Sequence, residues 1–314
     1  MIENKSSIRI IYLGTPDFAV EGLRALVEGG YNVVAVVTMP DKPAGRGHHV
    51  QCSAVKQYAM SIGLPVLQPQ RLKDEHFLAE LRSYRADLQI VVAFRMLPEI
   101  VWSMPRLGTF NLHASLLPQY RGAAPINWAV MNGDRETGVS TFMLQHEIDT
   151  GNIILQERIP IAPDENVGSV HDRLMMLGGS LITRTVDLIA DYDMQGIPLP
   201  TIPQEESPAL LTAPKIFKET CAIDFSQTAE RIYNHVRGLS PYPAAWIDNM
   251  PTNHPLAEVL KGAKVYRVSI SQNAEQKGHI LIPCADGYID IIELQLPGKK
   301  RMNASALLNG LKNR

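Results

Sequence analysis

The chain has 314 residues, 45% of them hydrophobic and 20% charged, with a formal net charge of −2. That length is long for one core and comfortable for two, and the composition is that of an ordinary soluble globular protein. No global basic field marks a nucleic-acid partner and no apolar run is long enough to span a membrane. The three scattered cysteines, Cys52, Cys221 and Cys284, form neither a disulfide framework nor a metal-ligand pattern.

Taken in chain order, the first half alternates strand and helix signals. Residues 8–13 form a short apolar run ending at Gly14, and the spacing predicts a helix from Asp17 to Glu28, with Thr15 as its cap and Pro16 in its first turn. A second buried strand is expected at 32–38. The loop 40–50 follows, whose Pro and Gly disfavour helix and strand. Helix is predicted at 53–62, strand at 65–67, helix at 73–84, and strands at 88–94, 109–112 and 139–145. This alternation indicates a doubly wound, mostly parallel α/β sheet. The helix 168–190 closes the first domain, 1–190. Residues 191–208 hold four acidic residues and four prolines and read as a linker. In 209–314 a helix at 229–237 is followed by short strand-like segments near 244–247, 264–270, 279–282 and 288–294. That texture predicts a small OB-like β-barrel. From 210 onward there are 13 Lys and Arg against 9 Asp and Glu, a local charge of +4 that suits an anionic partner.

Asn111 and His113 stand two apart at the end of a predicted strand, so their side chains share a face. They are followed by Ala114-Ser115-Leu116-Leu117-Pro118 and a Gly/Pro-containing turn. In an open α/β sheet, ligands collect at such strand ends. Asp149-Thr150-Gly151 lies beyond the next strand. Asn, His and Asp are the parts needed to move an acyl group onto an amine. An amide holds the developing oxyanion, an imidazole manages protons, and a carboxylate fixes the imidazole. Taken singly, each reads as an ordinary strand-end, loop or turn residue; together at strand ends they favour function. The loop 40–50 carries Lys42, Arg46, His48 and His49 against one acid, Asp41, and suits phosphate. The tract Lys299-Lys300-Arg301 adds a further basic group in the positive domain. The turn Gly14-Thr15-Pro16 lacks the dinucleotide fingerprint, and neither a P-loop nor a nucleophile elbow is present.

At these residues the chain resembles the methionyl-tRNA formyltransferases over nearly its whole length. The likeness rests on Leu13-Gly14-Thr15-Pro16-Asp17-Phe18, Pro43-Ala44-Gly45-Arg46-Gly47, the block 111–125, Asp149-Thr150-Gly151, and Leu239-Ser240-Pro241-Tyr242-Pro243-Ala244-Ala245-Trp246. The His-x-Ser-Leu-Leu-Pro core by itself recurs across enzymes that use 10-formyltetrahydrofolate. The basic loop and the second domain narrow the likeness.

The resemblance implies formyl transfer from 10-formyltetrahydrofolate to the methionine amine of initiator methionyl-tRNA. It implies catalytic roles for Asn111, His113 and Asp149, and no metal. It implies a folate pocket at Phe94, Arg95, Met96, Leu97, Ser115, Leu116, Leu117, Pro118 and Ile148. It implies tRNA contacts at Lys42, Arg46, His48, Lys299, Lys300 and Arg301. Phe94-Arg95 stands where the family has Tyr-Gly, and Glu147-Ile148 where it has a small residue and Leu. A monomeric, cytoplasmic enzyme is expected. The competing readings are a formyltransferase for small amines, a tRNA-binding protein with an inactive catalytic fold, and a folate-deformylating hydrolase.

Overall fold

The computed structural model describes residues 7–44, 49–251, 254–274 and 276–312. In chain order its first elements are β1 (Ile10–Gly14), α1 (Phe18–Glu28), β2 (Val33–Val37), β3 (Lys42–Ala44), β4 (His49–Gln51), α2 (Ala54–Ser61), β5 (Val66–Leu67), α3 (Glu75–Ser83), β6 (Leu88–Val92), α4 (Glu99–Trp102) and β7 (Thr109–His113). Then come β8 (Arg121–Gly122), α5 (Pro125–Met131), β9 (Glu136–Met143), β10 (Ile153–Pro160) and α6 (Val167–Gln195). The remainder forms β11 (Thr212–Ala213), α7 (Ala229–Leu239), β12 (Ala245–Trp246), α8 (Ala257–Leu260), β13 (Lys264–Ser271), β14 (Leu281–Cys284), β15 (Gly287–Gln295), β16 (Met302–Asn303) and α9 (Ala304–Lys312). Two compact units result, and their borders interleave. One contains Met1–Arg121, Gly138–Ile159 and Asp172–Thr212; the other contains Gly122–Thr137, Pro160–His171 and Ala213–Arg314.

The first unit is built on a sheet of order β10-β9-β7-β6-β1-β2-β5. The five strands from β7 to β5 are parallel neighbours, and β9 runs antiparallel to β7. Every residue of β1 and β6 is buried, as expected for central strands covered on both faces. One face packs Ile11, Leu13, Ala35, Val37 and Val91 against Phe77, Leu78 and Leu81 of α3 and Val101 of α4. The other face lies beneath α1 and α6. A methyl group on Gly22 of α1 would meet Ile182 Cδ1 at 2.5 Å and Tyr12 Oη at 2.7 Å, so the helix-to-sheet approach requires glycine there. After β5 the chain returns to the opposite side of β1, making the crevice between β1 and β6 the topological switch point.

In the second unit β12, β13, β15 and β14 form an antiparallel sheet, and β16 adds to β15. Ile232, Val236 and Leu239 of α7 and Leu307 of α9 share a core with Val265, Ile289, Ile291 and Leu294. A Rossmann-like α/β domain and a small OB-like β domain are therefore both present.

Several local expectations are corrected. Asp17, not Thr15, caps α1, accepting from Phe18 N at 2.9 Å, because the helix begins one residue after Asp17. Loop 40–50 holds the antiparallel ribbon β3–β4. Each strand of a two-stranded ribbon has one unpaired side, so proline is tolerated there where its nitrogen faces outward. Helices α4, α5, α8 and α9 and strands β8, β10, β11 and β16 have no counterpart among the expected elements. Residues 191–208, read as a linker, begin inside α6 and continue along the first unit, where Ile202 and Ile153 exchange both backbone hydrogen bonds at 2.8 Å.

Candidate active site

Strand alternation decides where the polar residues of β7 point. Asn111 is paired with Val91 and shares its face, the one that carries α3 and α4. Leu112 points to the opposite face, where α6 approaches so closely that a methyl on Gly178 would lie 2.6 Å from Leu112 Cδ2. His113 returns to the Asn111 face, as the i, i+2 spacing requires. Asn111 is half-buried in a strand otherwise buried, and its Oδ1 is enclosed without a hydrogen-bond partner. A buried acceptor left unsatisfied costs about 1–3 kcal/mol.

Asp149 reaches this face by an indirect route. Because β9 is antiparallel, its carboxyl end lies beside Phe110, three residues before His113. The loop 144–152 must therefore double back, and Leu144 anchors it on the apolar cluster of that face. Met143 N closes the loop on Asn152 O at 3.0 Å. At Gly151 the backbone passes so close to Met143 O that an added methyl carbon would lie 1.7 Å away. Asp149 itself takes a left-handed conformation, φ 56°. Its carboxylate Oδ2 stands 4.0 Å from His113 Nδ1, with side chains 11% and 9% exposed. That is electrostatic range, beyond a direct hydrogen bond.

His113 is fixed from its other nitrogen, since Nε2 donates to Tyr120 O at 2.8 Å. The proton needed for that bond assigns Nε2 as a donor and leaves Nδ1 for chemistry. Tyr120 is held at φ 61° by a compact frame. Ser115 Oγ donates to Gln119 O, and Ser140 Oγ donates to Ser115 O, both at 2.6 Å. Gln156 Nε2 donates to Leu117 O at 2.8 Å.

The expected folate residues divide by environment. Met96 and Ile148 are exposed apolar side chains, 73% and 59% accessible, suited to a flat ring. Phe94, Leu116 and Pro118 are half-buried. Leu97, Ser115 and Leu117 belong to the interior. The guanidinium of Arg95 donates to Pro69 O at 2.5 Å and Gln70 O at 3.0 Å, so it braces a neighbouring loop, and its burial depresses its pKa. Within the same 144–152 loop, His146 sits edge-on to Trp102 and 3.5 Å from Glu99.

Of the expected tRNA residues, Arg46 and His48 lie outside the described residues, and Lys42 belongs to β3. The base of that ribbon is anchored by Asp41, which is 2.5 Å from Lys56 Nζ and accepts from Gln68 Nε2 at 2.8 Å. Those hydrogen bonds hold the Asp41 carboxyl below its ordinary range. In the second unit Lys299 and Lys300 are exposed. Arg301 is paired with both carboxylate oxygens of Glu293 at 2.7 Å and lies over the Tyr266 ring. Sequence reading missed Gln204, whose Nε2 donates to the carbonyls of Asp149 and Gly151, each at 2.8 Å. Among the described residues no cluster of His, Cys, Asp and Glu is arranged to hold a metal ion, and no helix is long and apolar enough to cross a membrane.

Residues 8–186 match the formyl transferase family and residues 215–312 match the formyl transferase C-terminal domain. A methionyl-tRNA formyltransferase of Bacteroides fragilis is 58% identical over 98% of this chain and 96% of its own. That of Parabacteroides distasonis is 58% identical over 98% and 97%. Among solved structures, the sugar 3N-formyl transferase WlaRD, determined in the presence of dTDP and 5-N-formyl-THF, shares the fold at 18% identity. Its TM-score is 0.65, over 93% of this chain and 99% of that one. At the identity of the bacterial relatives, sustained across both matched domains, the chain belongs to the methionyl-tRNA formyltransferase family.

Proposed function

We propose that this chain transfers the formyl group of 10-formyltetrahydrofolate to the α-amino group of methionine on initiator methionyl-tRNA, for translation initiation. The observation that carries the reading is the meeting of His113 and Asp149 on the Asn111 face of the sheet, in a chain of this family. An α-amino group has a pKa of roughly 7.7–8.0, so a useful fraction is neutral near neutral pH and needs no strong base. The amine attacks the formyl carbon, forming the new C–N bond. The Asn111 carboxamide supports the carbonyl oxygen as it takes up charge. His113 Nδ1, oriented by the Nε2 bond to Tyr120 O and flanked by Asp149, carries the amine proton to the folate nitrogen as that C–N bond breaks. The products are N-formylmethionyl-tRNA and tetrahydrofolate.

The folate rings have apolar partners in Met96 and Ile148, with Phe94, Leu116 and Pro118 alongside. Leu97, Ser115 and Leu117 act as the scaffold of that pocket, and Arg95 braces its wall. The loop with Lys42, Arg46 and His48 addresses the acceptor arm. The part from 209 onward, with its excess of positive charge and its exposed Lys299 and Lys300, follows the phosphate backbone. Arg301, already paired with Glu293, contributes less. The reading carries with it a monomeric, cytoplasmic enzyme. One assay tests it: the protein is incubated with 10-formyltetrahydrofolate and either methionyl initiator tRNA or free small amines, and formyl incorporation is followed. Label in the tRNA is the expected result. Label only in small amines overturns the proposal.

A further inference from the structure

The chain between the two matched regions, residues 187–214, lies outside both family matches. Part of it nevertheless supports both members of the His113–Asp149 pair. The Gln204 carboxamide is engaged at both ends. Its Nε2 donates to Asp149 O and Gly151 O, and its Oε1 accepts from Arg121 Nε at 3.0 Å and Nη2 at 2.9 Å. Arg121 Nη1 is in turn paired with Glu206 at 2.5 Å. An amide with its donors and its acceptor all used has one orientation available.

The same segment is fastened on either side of Gln204. Asn152 Nδ2 donates to Thr201 Oγ1 at 3.2 Å, and Ile202 pairs with Ile153. Leu211 O accepts from Tyr120 N at 2.7 Å, and Leu211 N donates to Gln119 Oε1 at 2.8 Å. Tyr120 O receives the Nε2 proton of His113, and Arg121 is its covalent neighbour. Residues 201–211 therefore tie the backbone that carries Asp149 to the backbone that orients His113. Both Asp149 and Tyr120 are non-glycine residues at positive φ, a conformation that persists only where surrounding structure enforces it.

We propose that Gln204 is a positioning residue for formyl transfer, setting Asp149 against His113 with Arg121 as its anchor. The proposal rests on the transfer reaction assigned above. Gln204 touches no reacting atom, so its effect is on geometry. A misplacement of about 1 Å costs on the order of 100-fold in rate.

The test is steady-state formylation of methionyl initiator tRNA by wild type, Gln204→Ala, Gln204→Glu, Asp149→Asn and the double variant Gln204→Ala/Asp149→Asn. Gln204→Glu keeps the shape and the bond to Arg121 but removes both N–H donors, which separates positioning from bulk packing. Both single Gln204 variants are expected to lose about 10- to 100-fold in kcat, with KM for tRNA and folate near wild type. In the Asp149→Asn background Gln204→Ala should cost little more, because coupled residues are not additive. Wild-type kcat in Gln204→Ala and Gln204→Glu overturns the proposal. So does full additivity with Asp149→Asn. A wild-type protein that formylates no methionyl-tRNA instead refutes the functional reading itself, and the two failures are distinct.

Discussion

Gly151→Ala probes the loop that carries Asp149 without altering Asn111, His113 or Asp149 themselves. An alanine Cβ built on this backbone falls 1.7 Å from Met143 O and 2.9 Å from Met143 C. Real Cβ contacts stay beyond 3.0 Å, so the strand end and the loop must separate by about 1.3 Å, the difference between 3.0 and 1.7 Å. Neither side yields cheaply. Met143 N is bonded to Asn152 O at 3.0 Å, and Gly151 O is held by Gln204 at 2.8 Å. The displacement is passed to Asp149, two residues away, whose carboxylate is already 4.0 Å from His113. A shift of that size predicts a fall in kcat of about 10²-fold and a destabilisation of about 1–3 kcal/mol from overpacking. Formylation kinetics and thermal unfolding measure the two effects. Gly310→Ala is the control, because nothing lies within 4 Å of its added methyl and a helical site gains from alanine. Wild-type kcat and melting temperature in Gly151→Ala would show that the loop does not depend on this close approach.

Other substitutions test the remaining assignments. His113→Ala should lower turnover about 10²–10⁴-fold and Asn111→Ala about 10²–10³-fold. Filter binding should show tRNA affinity largely kept, and near-wild-type turnover of either variant ends the mechanism. Asp149→Asn preserves shape and removes charge, so kcat should drop while folate affinity by fluorescence titration holds; an unchanged kcat makes Asp149 a turn residue only. Arg46→Ala should weaken formylation of charged tRNA and blur the choice of initiator over other tRNAs, and rising salt should weaken tRNA binding. Equal kinetics on initiator tRNA, with no salt dependence, refutes that role. Tyr31, whose hydroxyl bonds Asp187 Oδ1 at 2.9 Å, has its pKa pushed up to about 12 by desolvation first and by Asp187 second. The folded state thus keeps a proton that the unfolded chain releases near 10. Its contribution to stability is complete below pH 10 and is lost as pH rises towards 12. Melting curves of Tyr31→Phe should show a shallower alkaline decline, and an identical decline removes Tyr31 from the account.

What the sequence reveals here is whatever has a short period. The alternation Asn111-Leu112-His113 states which side chains share a face, and the register with Val91 is consistent with it. The apolar pattern of residues 18–28 likewise marks α1. Strand β10 escapes because only its first two residues are fully buried and the rest alternate towards solvent. Helix α5 escapes because Pro125 reads as loop, although proline is well suited to a first helical turn. In α9, Asn309 and Gly310 weaken the helical signal of the flanking leucines. Gln204 carries no pattern at all. It is one amide in a proline-rich tract, and its partners are backbone carbonyls more than fifty residues away. The Asn–His–Asp grouping was readable by residue type. The doubled-back loop that brings Asp149 to His113 follows from the antiparallel sense of β9, which composition does not encode.

The interleaving of the two units has a consequence for how the protein is made. Helix α5 packs with α7: Asn127 Nδ2 donates to Gly238 O at 2.8 Å, and a methyl on Gly238 would strike Met131 Cγ at 2.4 Å. On a ribosome adding about 5–20 residues per second, Met131 is synthesised roughly 5–20 s before Gly238. Throughout that interval the side of α5 that meets α7 has no partner, although β9, next along the chain, already has β7 to pair with. Folding of the amino-terminal half therefore cannot be finished as a separate early event. A chain cut after residue 208 would likewise keep α5 and lose the surface it covers, so the boundary between the units cannot be reproduced by one cut in the gene.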